Sequence, residues 1–140
     1  MQISFKSNAK KVKAELEKKG KNVSQSVKRA LSITALEGIN IIENRTQRSV
    51  GFKGGRFTKY SPKYARFRRQ EGRTTKPNLD FSGKMLGSMT SKANNREAKI
   101  FFTRAAEAKK AAGNNKLRPF FGFNRREEKK LSDIFFRNIK

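Results

Sequence analysis

The chain has 140 residues and a formal net charge of +24, from 35 Lys and Arg against 11 Asp and Glu. It contains neither Cys nor His, which excludes a disulfide framework, a Cys/His zinc site, a thiol nucleophile and a Ser-His triad. Like charge on this scale repels itself, so a polyanion, most commonly nucleic acid, is the expected neighbour.

Apolar residues make up 34% of the chain and glycine adds 10 residues, below the roughly 45–50% usual for a globular chain. Twelve Phe offset part of that deficit. A thin core is expected, in a protein better suited to an assembly than to a solitary life. No apolar run nears the ~20 residues of a membrane span. Met1–Lys6 lacks a signal-type apolar segment, so a product made in the cytosol, with no membrane partner, is expected.

In chain order, Ile3 and Phe5 alternate with polar residues and predict a short strand over 2–6. Residues 8–19 read as a polar helix with Val12 and Leu16 on one side, ended by Gly20. Asn22 then fits an N-cap, with Gln25 completing a capping box. Val23, Val27, Leu31, Thr34, Ala35, Ile39 and Ile42 recur at helical spacing and predict the longest helix over 23–48. The stretch 50–57, broken by Gly51, Gly54 and Gly55, reads as a small hairpin or an irregular loop. Ser61-Pro62 predicts a capped helix start, running to Gln70 and stopping at Gly72. Ser82 predicts the cap of a short helix carrying Met85, Leu86 and Met89. Asn94-Asn95 marks a turn, and Ala98, Ile100 and Phe102 alternate as one face of a strand. Residues 104–112 read as an Ala/Lys helix closed by Gly113. Asn124 with Glu127 predicts a capped final helix presenting Leu131, Ile134, Phe135 and Ile139. Helices and strands mix without βαβ regularity, so the expected class is α+β: a long N-terminal helix, a small antiparallel sheet, short helices and a C-terminal helix. A single domain over 1–140 is expected, with 1–21 as a peripheral arm.

Residues 44–79 are the most basic block, with aromatics interleaved. One reading is a phosphate groove with rings that stack on bases. The other, favoured by the helical spacing of Tyr60, Tyr64 and Phe67, packs those rings on the core. Arg66, Arg68, Arg69 and Arg73 are the candidate strip facing DNA or an acidic partner, without sequence preference. Asp80 with Glu97-Ala-Lys99 matches the loose carboxylate–Glu-x-Lys pattern of a metal-dependent nuclease, but an ordinary cross-strand ion pair uses the same residues. Ser82-Gly-Lys84 lacks the glycine that a P-loop requires, since position 78 is Asn. Arg118-Pro-Phe-Phe-Gly-Phe-Asn124 is the most distinctive string. It reads either as a hydrophobic staple of the last helix or as an exposed aromatic loop, with Arg118, Phe120, Phe121 and Phe123 as candidate contacts to a neighbouring subunit or partner.

Taken together, these strings resemble the tail-completion, or virion-morphogenesis, proteins at the head–tail neck of tailed bacteriophages. The resemblance covers roughly residues 25–140. It is carried by the long helix ending near Arg45-Thr46 and by Phe57-Thr-Lys-Tyr-Ser-Pro-Lys-Tyr64. Leu79-Asp-Phe-Ser-Gly-Lys-Met-Leu-Gly-Ser88 is similar to the family's L-x-x-[ST]-G-x-[ML]-L-x-S signature. The strand Ile100-Phe-Phe102 and the helix Glu107–Gly113 follow in family order. Arg118–Asn124 is similar to R-P-F-L-G-[LF]-[ST], with Asn124 in place of Ser or Thr, and the usual His before the second glycine is absent. The resemblance implies a structural virion protein, made in the host bacterial cytoplasm, with no enzymatic activity and no cofactor or metal. Several copies, as a hexamer or dodecamer, would form a ring between portal or adaptor and tail proteins, with phage DNA passing through the lumen. The alternative is a free basic nucleic-acid-binding protein of ribosomal or chromatin type.

Overall fold

The computed structural model describes residues 1–6, 23–80 and 82–139. The helix expected over 8–19 and the Asn22 cap lie outside them. The alternating segment forms strand β1 (Gln2–Lys6), and the apolar period forms helix α1 (Val23–Gln47). Helix α2 (Pro62–Gln70) and the single turn α3 (Lys84–Gly87) follow. The hairpin of β2 (Met89–Ala93) and β3 (Glu97–Phe102) leads into helices α4 (Ala105–Leu117) and α5 (Arg125–Asn138). The fold is α+β, with five helices and one small antiparallel sheet, ordered β1-β3-β2, among the described residues. None of these helices is long and apolar enough to cross a membrane.

The chain gathers into two compact units. The first comprises Met1–Asn40, Thr90–Phe101 and Arg125–Lys140; the second comprises Ile41–Met89 and Phe102–Asn124. Helix α1 therefore passes from one to the other between Asn40 and Ile41.

In the first unit β1 runs antiparallel to β3, with Ile3 opposite Ile100 and Phe5 opposite Ala98. Asn94 Oδ1 accepts from the Arg96 and Glu97 amides at 2.8 and 2.9 Å, an Asx turn that closes the β2–β3 hairpin. Ala98 and Ile100 are buried, as are Val27, Ala30, Leu31, Ala35 and Ile39 of α1. Leu131, Ile134 and Phe135 of α5 complete this core at i, i+3, i+4 spacing. Ile139 falls beyond the end of α5 and is half-buried.

The second unit is built on turns and caps. Ser61 Oγ accepts from the Tyr64 amide at 3.2 Å, and Pro62 fills the first turn of α2, where a missing N–H costs nothing. A single bridge, Val50 to Arg56, closes the glycine loop. Ser82 does not cap α3: Gly83 holds that position at φ 77°, with Ser82 accepting from the Lys84 amide one residue earlier. Met89 lies in β2, not in α3. Helix α4 does not close at Gly113. It continues to Leu117, because the stop is set by Pro119, which forces Arg118 into extended backbone (φ −127°, ψ 90°). The core here is Ile42, Phe57, Leu79, Met85, Leu86, Phe102, Ala111, Phe120 and Phe121.

Candidate functional site

Three arginines of the second unit point inward and donate to main-chain carbonyls. Arg45 Nη2 donates to Phe120 O (2.7 Å) and Gly122 O (2.9 Å). Arg68 Nε donates to Thr74 O (2.7 Å), while its Nη2 reaches Asp80 O (2.9 Å) and Asn78 Oδ1 (3.3 Å). Arg118 Nε donates to Thr58 O (2.7 Å) and its Nη2 to Lys59 O (3.0 Å). The planar fork of a guanidinium suits this use, since it satisfies two acceptors from one fixed group.

These contacts correct the expected surface roles. Arg68 is only 1% exposed and cannot join a DNA-facing strip; Arg66, Arg69 and Arg73 are exposed. Arg118, Phe120 and Phe121 are buried inside their own unit, so they are not an exposed loop awaiting a neighbour; Phe123 is half-buried. Phe120 and Phe121 are held by Asn115 Oδ1, which accepts from both amides at 3.0 Å. Their rings cluster with Phe102 at centroid distances of 5.1–6.5 Å. Gly122 is required by close approach, because a Cβ there would lie 2.7 Å from the Phe52 ring. The distinctive string is thus an interior lock.

The core reading of the rings on α2 is corrected as well. Tyr60 is half-buried, but Tyr64 and Phe67 are 37% and 45% exposed. They line a groove of about 550 Å³ in the second unit. The Arg118 and Arg68 guanidiniums lie 4.7 and 5.0 Å from the Tyr60 ring centre, and Tyr60 Oη accepts from the Leu79 amide at 3.0 Å. Tyr64 meets Tyr60 edge-on at 4.9 Å. On α4, the groove is lined by Glu107, Lys110, Asn114 and Leu117. Glu107 is buried and pairs with Lys110 at 3.3 Å. Leu117 stands 57% exposed.

Sequence reasoning did not single out Glu107, Lys110 or Leu117 as site residues. One signal was available for α2: among nine residues only Tyr64, Ala65 and Phe67 are apolar, too few for a stripe that buries both rings. The nuclease pattern gains no cluster. Glu97 pairs with Lys99 at 3.5 Å, Asp80 Oδ2 accepts from Gln47 Nε2 at 3.2 Å, and no group of three metal-ligating side chains occurs among the described residues. The site as built offers stacking surfaces, apolar wall and fixed charge, the chemistry of binding.

No family model, curated protein or solved structure matches the chain.

Proposed function

We propose that this chain is a structural subunit of the head–tail neck of a tailed bacteriophage, forming a ring with its own copies between portal or adaptor and tail proteins. The supporting observation is where the two resembling strings fall. Leu79, Met85, Leu86 and Ser88 of the first, and Arg118, Phe120 and Phe121 of the second, are all buried in one unit. Strings that specify a fold belong in its packing, whereas strings that served a solitary nucleic-acid binder would be expected on its surface. The charge of +24 fits a ring whose lumen passes DNA, held by phosphate contacts without base readout.

In this reading Arg66, Arg69 and Arg73 form the DNA-facing strip, and the reading assigns no catalysis. Self-repulsion between subunits would delay closure of the ring until salt, DNA or an acidic partner screens it. Light scattering of the purified protein across a salt series should show rings increasing with ionic strength, and images of the assembled particle should place them at the neck. A protein that stays monomeric at every salt concentration, binds duplex DNA tightly and is absent from particles would instead be the free nucleic-acid binder. Reversing Arg66, Arg69 and Arg73 to Glu should lower DNA retention in particles; unchanged retention would remove the strip.

A further inference from the structure

We propose that the groove of the second unit seats an apolar side chain from an acidic segment of a partner protein. The inference rests on the reading of the chain as an assembly subunit in one respect, that the occupant is another protein.

The groove has the anatomy of a protein–protein hot spot: an apolar centre under a charged rim. Tyr64, Phe67 and Leu117 are all large, apolar and exposed around this one depression. Its volume, about 550 Å³, is ample for one large side chain and part of its backbone. The rim is cationic. Lys110 lines the groove, and Lys63, Arg66 and Arg69 stand exposed on α2, a helix with no acid among its residues. Carboxylates on either side of the anchor complement that rim and steer the encounter.

A nucleic-acid strand fits these walls less well. Tyr64 and Phe67 are 6.1 Å apart and tilted by 32°, whereas a base sandwiched between two rings needs about 7 Å, twice the ~3.4 Å spacing of stacked bases. Leu79, Met85 and Leu117 supply aliphatic wall, which gives a base no π-face but packs on an alkyl side chain. The Glu107 carboxylate faces the same space and repels a phosphate entering it.

The molecule carries its own reporter. It has two Tyr and no Trp, and both Tyr60 and Tyr64 line the groove, so intrinsic tyrosine emission reads this site alone. The probe is a synthetic peptide of Asp and Glu around one central Leu, compared with the same peptide carrying Ala. The Leu peptide should bind about tenfold tighter, the order expected for burying one aliphatic side chain, and should shift tyrosine emission. Phe67→Ser and Leu117→Ser, both at exposed positions, should abolish the difference and leave only salt-sensitive charge binding. Equal binding of the two peptides to the unmodified protein overturns the proposal without recourse to any variant. So does a thymidine oligonucleotide that quenches tyrosine and is itself the ligand lost in Phe67→Ser. Ring formation is read separately by light scattering, so failure of the peptide preference leaves the neck reading standing, and failure of the rings leaves the groove intact.

Discussion

A guanidinium is costly to take out of water, yet Arg45, Arg68 and Arg118 are all buried. Each recovers the cost by hydrogen bonds to carbonyls that would otherwise lack donors inside the unit. Arg68 ties the turn after α2 back onto that helix, with the Tyr60 ring beneath it. Arg68→Ala should destabilise the protein by roughly 2–5 kcal/mol, while Arg66→Ala, at an exposed position two residues earlier, should stay within about 0.5 kcal/mol. Urea unfolding of the two variants side by side checks this, and equal midpoints would refute it. Glu43 on α1 supplies a pH-dependent case. Burial raises its carboxyl above the ordinary 4.5. The folded state then holds the proton more tightly than the unfolded chain, so this contribution is complete below 4.5 and declines as pH rises through the folded value. Glu43→Gln, neutral throughout, should melt higher than the parent at neutral pH and level with it in acid well below 4.5. Matching melting temperatures at neutral pH would count against it.

At the scale of elements, periodicity was the reliable guide and punctuation the weaker one. The seven-residue apolar series of α1, the Ser61-Pro62 start of α2 and the alternation in β3 each translate directly into structure, because burial enforces a period. Gly113 misleads, since a glycine marks a helix end only where the backbone turns left-handed. Here it sits within α4 with nothing within 4 Å of an added Cβ. Gly113→Ala should therefore stabilise the protein by about 0.5–1 kcal/mol, read as a higher melting temperature. Gly122 behaves oppositely. Gly122→Ala drives a methyl into the Phe52 ring and should cost about 1–3 kcal/mol. Because the obstacle is a side chain, Phe52→Leu in the same chain should recover part of the loss. A double-mutant cycle showing simple additivity would dismiss that contact.

For the whole molecule, the class and the basic character were legible from composition, but the direction each cation faces was not. Arg66, Arg68 and Arg69 are equivalent in composition; only the third dimension turns the middle one inward, toward carbonyls of residues 74 and 80. The same limit hid the groove, whose two walls come from α2 and α4, far apart in the chain. The carbonyl anchoring also bears on how this sequence can change. An ion pair requires two particular side chains, but a guanidinium on a main-chain oxygen requires only one. Thr58, Lys59, Thr74 and Asp80 each present that oxygen whatever side chain they carry. Nor does that acceptor lose its function by gaining a proton anywhere in the range a protein survives. The anchor is therefore lopsided: the arginine is irreplaceable and its partners are free to drift, so the exposed loops can be rewritten around a fixed set of interior ties.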